Sequence, residues 1–107
     1  MARFCPLFSG SSGNSIYIGN NDGGILVDTG MSAKKIGEAL FNIGVAPESL
    51  NAVFVTHEHS DHIKGLRVFA SKYHIKVYGT NGTLSALDDM GILNGKFETE
   101  EVSFSGN

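Results

Sequence analysis

Ala52-Val53-Phe54-Val55-Thr56-His57-Glu58-His59-Ser60-Asp61-His62 passes from four apolar residues directly into three imidazoles and a carboxylate within six positions. An unbroken apolar run of this length, followed by a polar bend, reads as a strand that ends in a loop. Upstream, Ile25-Leu26-Val27 has no polar alternation either, which predicts a strand buried on both faces, and it ends at Asp28-Thr29-Gly30. Between the two runs, Ser32 is a favourable helix N-cap, Ile36, Leu40 and Ile43 follow at helical spacing, and Gly44 supplies a stop. A strand, a helix and a strand in close succession form a βαβ unit with parallel strands and a right-handed crossover. Parallel strands finish at the same edge, so Asp28 and the histidine cluster are expected together where open α/β sheets place their sites.

Working outward, residues 2–8 and 14–19 form a predicted β-hairpin joined by Ser9-Gly10-Ser11-Ser12-Gly13-Asn14, and a turn at residues 20–24 leads into the first buried strand. Pro47 to Leu50 reads as a turn before the second. Beyond the cluster, the pattern predicts a helix over 63–73, a strand over 75–78 and a helix over 83–90 begun near Thr80 or Asn81. Residues 96–104 alternate as a strand or hairpin. The fold class is α/β, one domain, with no internal repeat or low-complexity tract.

Composition narrows the function. The chain has 107 residues, 41% hydrophobic and 18% charged, as in a soluble globular protein rather than a disordered or collagenous one. Fourteen glycines exceed the average usage of about 7% and predict frequent tight turns. Eight Lys and Arg against eleven Asp and Glu leave a net charge of −3, so no global positive field draws nucleic acid and any such partner must be held locally. The opening residues are too short and polar for a secretory signal, and no apolar run nears a membrane span, so the cytoplasm and no membrane partner are expected. The single cysteine, Cys5, has no adjacent charge to activate it and reads as a small buried hydrophobe.

The histidine cluster carries the chemistry. Extended backbone sends alternate side chains to one face, so His57 and His59 point together and can share one cation while Glu58 points away. Asp61 and His62 come where the chain bends into the next helix, an offset that suits a second ion. Imidazole and carboxylate donors without thiols suit zinc, manganese or iron in a site open to water. A solvated loop that binds nothing is the plainer alternative, but three of the four histidines fall in these six positions after an apolar strand. His74 is isolated and reads as an ordinary surface or strand-edge residue. The loop Ser9, Gly10, Ser11, Ser12, Gly13, Asn14 reads either as a plain hairpin turn or as a cradle whose backbone N–H groups approach a phosphate. Lys34 and Lys35 read as a solvated helix face or as contacts to a phosphate backbone.

These residues resemble the metallo-β-lactamase fold superfamily: His57 to His62 matches its His-x-His-x-Asp-His signature in full, and residues 25–30 resemble its earlier aspartate motif. Residues 8–14, 32–36 and 56–66 further resemble a bacterial WalJ/YycJ-like subfamily of cytoplasmic exonucleases acting on DNA. The resemblance implies a mixed sheet with helices on one face, the N-terminal half of an αββα sandwich, with the C-terminal half absent from residues 1–107. It implies two divalent metal ions, the first on His57 and His59 and the second on Asp61 and His62. Asp28 would orient a metal ligand or bound water, Thr56 would support the motif through hydrogen bonds, and Asp61 would help orient the nucleophile. Metal-dependent hydrolysis of DNA by the intact parent is implied, with thiolester or lactam hydrolysis as the alternative chemistry of the superfamily. The superfamily adds further histidine and aspartate ligands from its second half. Neither His74 nor Asp88-Asp89 matches them, so weak metal affinity is expected of this chain alone. A sheet edge left open near Phe104 would permit self-association, and the alternative from another class is a catalytically inactive half-domain that associates through that edge.

Overall fold

The run Ile25-Leu26-Val27 forms the body of a strand, Gly23–Val27, and Ala52-Val53-Phe54 that of another, Leu50–Phe54. The computed structural model in which these elements are seen describes residues 3–8, 13–20, 22–94 and 96–103; the side chains of Ser60 and Asp61 lie outside that description. Numbered along the chain, the strands are β1 (Arg3–Phe8), β2 (Ser15–Asn20), β3 (Gly23–Val27), β4 (Leu50–Phe54), β5 (Val77–Gly79) and β6 (Thr99–Glu101). The helices are α1 (Ala33–Asn42), α2 (Ser60–Ile63), α3 (Leu66–Tyr73) and α4 (Asn81–Asp89).

β3 and β4 pair in parallel, Leu26 beside Val53 and Val27 beside Phe54, as a helical crossover between them requires. That crossover is α1. The Ser32 hydroxyl accepts from the Lys35 N–H at 3.3 Å, Ile36 and Leu40 are completely buried, and Gly44 leaves the helix at φ +78°. The same logic starts α4, where the Thr80 hydroxyl accepts from the Thr83 N–H. β1, β2 and β3 are successive antiparallel neighbours, and β5 and β6 extend the sheet in parallel, giving the order β1-β2-β3-β4-β5-β6. The facing glycines Gly19 and Gly24 make room for the Tyr17 ring. A Cβ at either position would come within 2.5 Å of it.

One face of this sheet carries the core. Tyr17, Leu26, Val53 and Val77 pack with Ile36 and Leu40 from α1, Leu66, Phe69 and Ala70 from α3 and Leu87 from α4. Each large side chain so buried contributes about 1.5–3 kcal/mol. The expected mixed sheet with helices on one face is therefore observed. On the opposite face Ile16, Ile18, Ile25, Val27, Phe54 and Tyr78 are half-exposed. This corrects the expectation that β3 is buried on both faces: among the described residues every long helix packs on the Leu26 side.

Three further expectations shift. The single helix over 63–73 is two helices, α2 and α3, because the Gly65 N–H leaves the helical ladder and donates to the Thr29 carbonyl at 2.8 Å. The strand expected over 75–78 is β5, which begins two residues later and ends one residue later. Among the described residues 96–103 only β6 is a strand, its outward Glu100 paired with Lys76; the Glu100 hydrogen bond holds the Lys76 ammonium above its ordinary pKa. His74 caps α3 in the left-handed region at φ 53°, and Cys5 is a free, half-buried residue against the core. Of the hairpin loop, Ser9, Gly10, Ser11 and Ser12 lie outside the described residues, as does Phe104.

Candidate metal centre

Because β3 and β4 are parallel, the chain leaves both at one edge of the sheet. Asp28 extends the ladder by one step, its N–H donating to the Phe54 carbonyl at 2.7 Å. It then turns the chain at φ +66°, a left-handed conformation that Asp tolerates better than most residues. The turn aims its carboxylate at the loop that follows β4. There Oδ1 accepts from the Thr56 N–H at 2.8 Å, and Oδ2 accepts from the Thr56 hydroxyl at 2.6 Å and meets His62 Nδ1 at 2.8 Å. With Asp28 only 5% exposed, these three bonds compensate the burial of the carboxylate.

The network assigns the imidazole tautomers. A carboxylate only accepts, so His62 Nδ1 carries its proton toward Asp28, which places the ring's lone pair on Nε2. The Thr56 hydroxyl spends its one proton on Asp28, so at 3.0 Å from His57 Nδ1 it accepts, and the His57 lone pair is again on Nε2. One buried carboxylate thus sets two histidines in the donor form that a cation requires. The His57 ring lies 4.9 Å from the His62 ring and 6.1 Å from the His59 ring between centroids, nearly parallel to the latter at 27°.

The two loops are also joined through their backbones. The Thr29 N–H donates to the His62 carbonyl at 2.9 Å, the Gly65 N–H returns to the Thr29 carbonyl, and the Gly30 N–H reaches the Asn14 carbonyl at 2.8 Å. At Gly65 this approach leaves no room for a side chain: a Cβ would sit 2.2 Å from the Met31 carbonyl oxygen and 3.0 Å from the Ala33 nitrogen. Gly65 is a residue that motif reading missed. Its signal was a glycine three residues after the last imidazole, where the helical pattern gave it no task.

Thr56, His57 and His59 are exposed and His62 is half-buried, so solvent reaches the cluster. The structure brings Asp28, Thr56, His57, His59 and His62 together; the Asp61 side chain lies outside the described set. Gly13 and Asn14, the described end of the proposed phosphate cradle, lie against residues 30–31. Beside Thr56, on the half-exposed sheet face, an apolar hollow of about 510 Å³ opens between Phe54, Tyr78, Thr80 and Val102.

The donor set suits divalent first-row ions: imidazoles with Nε2 lone pairs, an orienting carboxylate and no nearby thiolate, since Cys5 lies in β1. Among the described residues no three His, Cys, Asp or Glu side chains close on one point. No helix of the described residues is long and apolar enough to cross a membrane.

The chain is 42% identical over 99 residues to the exodeoxyribonuclease WalJ of Streptococcus pneumoniae serotype 2 (strain D39), an alignment covering 92% of this chain and 36% of that protein. It is 44% identical over 89 residues to the exodeoxyribonuclease YycJ of Bacillus anthracis, covering 82% and 33%. The chain thus spans about a third of the length of these relatives. Among solved structures it superposes on a diphosphatase of the PhnP family with a TM-score of 0.73 at 19% identity, over 97% of this chain and 51% of that one. The family profile described as the metallo-beta-lactamase superfamily matches residues 9–89. That span holds Asp28, Thr56 and the whole motif from His57 to His62, and the chain belongs to the metallo-beta-lactamase superfamily.

Proposed function

We propose that this chain supplies the first half of the active centre of a metal-dependent DNA exonuclease of the cytoplasm, with residues 1–107 as the N-terminal half of its catalytic domain. The observation that carries the reading is the Asp28 carboxylate, buried and bonded so that His57 and His62 both present Nε2. A fold that needed only stability would have no reason to bury a charge in order to orient two exposed or half-exposed imidazoles. The names of the relatives, both exodeoxyribonucleases, support DNA as the substrate over thiolester or lactam.

His57 and His59 would hold one divalent ion and Asp61 and His62 a second, zinc or manganese, with iron also compatible with the donors. Bound there, such ions acidify water and neutralise charge developing on a phosphoryl oxygen. The chain's own residues do the positioning: Asp28 fixes the His62 ring, Thr56 relays the same constraint to His57, and Asp61 would orient the attacking water. The sheet edges give self-association less support. β6 is three residues long with two glutamates, and β1 carries Pro6, both features that discourage pairing with another strand.

The test is digestion of 5′-phosphorylated DNA by the full-length protein with Mn²⁺ or Zn²⁺, beside metal analysis of wild type and a His57→Ala/His59→Ala variant. Progressive release of nucleotides by wild type, and loss of bound metal in the variant, are expected. Intact DNA together with hydrolysis of a thiolester or lactam would replace the nuclease reading.

A further inference from the structure

The charge of this chain is −3 overall, yet its cations are not spread evenly. Four of the eight Lys and Arg, namely Lys34, Lys35, Lys64 and Arg67, are all exposed and lie on the two segments that Gly65 brings into contact. The close approach of Gly65 to Met31 and Ala33 sets the start of α1 against the α2–α3 junction. Lys34 and Lys35 follow Ala33 directly, and Lys64 and Arg67 flank Gly65. The result is a cationic ledge at the edge of the sheet that bears the imidazoles, with Lys64 only two residues beyond His62.

Local stability does not account for the ledge. Lys34, Lys35 and Arg67 occupy the first turns of their helices, neither of which contains an acidic residue. The helix dipole disfavours cations there and favours Asp or Glu. Nor do ion pairs compensate: the pairs among the described residues are His62 with Asp28 and Lys76 with Glu100, and none involves these four. Glu38, one turn along α1, and Glu58 in the histidine loop are the nearest carboxylates by sequence among the described side chains. Four exposed cations on two segments whose backbones touch, unpaired among the described residues and three of them in positions that oppose the helix dipole, suit a polyanion.

We propose that this ledge is the docking surface for the sugar-phosphate backbone of the DNA strand, holding it so that its terminal phosphodiester reaches the imidazole cluster. The inference rests on the exonuclease reading and adds to it the surface that binds substrate.

The experiment measures binding of a fluorescein-labelled, 5′-phosphorylated single strand to full-length protein in EDTA, as a function of salt. Three proteins are compared: wild type, a ledge variant (Lys35→Gln, Lys64→Gln, Arg67→Gln) and a variant of equal charge change away from the ledge (Arg3→Gln, Lys76→Gln, Lys96→Gln). Each phosphate contact contributes about 0.7 to the slope of log affinity against log salt for single strands. The ledge variant should therefore lose about 2 from that slope, and bind at least about 100-fold more weakly at low salt. The equal-charge variant should stay near wild type, and circular dichroism, with metal content measured before EDTA is added, should show both variants folded and able to bind metal. A ledge variant with the wild-type slope, equal losses in both variants, or no binding by wild type would overturn the proposal. Steep salt-dependent binding by wild type without cleavage under Mn²⁺ or Zn²⁺ would remove the exonuclease reading and leave the ledge standing.

Discussion

The two loops that leave the same edge of the sheet differ in almost every physical respect. Residues 28–30, after β3, are buried and tied by backbone hydrogen bonds to Phe54, His62 and Asn14. Residues 56–59, after β4, are largely open to solvent and carry two of the imidazoles. The buried loop holds no group that could meet a substrate directly, yet it sets the orientation and tautomer of the imidazoles on the open side. Precision in the exposed half is supplied by rigidity in the hidden half, which is how a site can be both accessible and preorganised.

Substitutions in the buried loop should therefore damage the open one more than the reverse. The largest effect is expected from Asp28→Ala, which removes the acceptor of three hydrogen bonds. Metal affinity should fall about 10- to 100-fold, measured by competition with a chromophoric chelator, and the imidazole ¹⁵N shifts of His62 should lose the Nδ1–H signature. Unchanged shifts would mean that the carboxylate does not set the tautomer.

Gly65→Ala comes next. Its Cβ would meet backbone rather than a movable side chain, so a cost of about 1–3 kcal/mol from overpacking is expected in denaturant unfolding, with weaker metal binding because the His62 segment is pushed from Thr29. Wild-type stability would show that the loops can separate without penalty. Thr56→Val keeps the shape but removes the hydroxyl relay between Asp28 and His57. A loss of about 1 kcal/mol and a tautomer change confined to His57 are expected, since His62 keeps its own bond to Asp28.

The smallest effect has the opposite sign. Gly37 lies inside α1, and a methyl group added there would have nothing within 4 Å, so Gly37→Ala should stabilise the protein by about 0.5–1 kcal/mol in the same denaturant measurement. Set beside Gly65→Ala, it separates a glycine the fold needs from one it only tolerates.

Much of this arrangement could be read along the chain. The apolar runs at 25–27 and 52–55 predicted parallel strands, Ser32 announced the first helix start and Thr80 or Asn81 the later one, and the spacing of His57, His59 and His62 marked the edge where donors gather. The continuous helix over 63–73 failed at Gly65, because apolar periodicity records which residues face the core and not where one backbone must pass close to another. β3 was expected to be covered on both sides for a similar reason. Lack of polar alternation says that Ile25 and Val27 tolerate burial, and which face receives the helices is settled by packing.

The donor types, their order and the pairing of a buried aspartate turn with a histidine bend were determined by sequence alone, since side-chain chemistry and local spacing are properties of the chain. Only the tertiary structure decided that Asp28 governs two imidazoles, one through Thr56 and one directly, and that the segment bearing Lys34 and Lys35 meets the segment bearing Lys64 and Arg67 at Gly65. Those relations join residues about thirty positions apart, and they exist only when parallel strands bring two loops to one edge and a glycine lets their backbones touch.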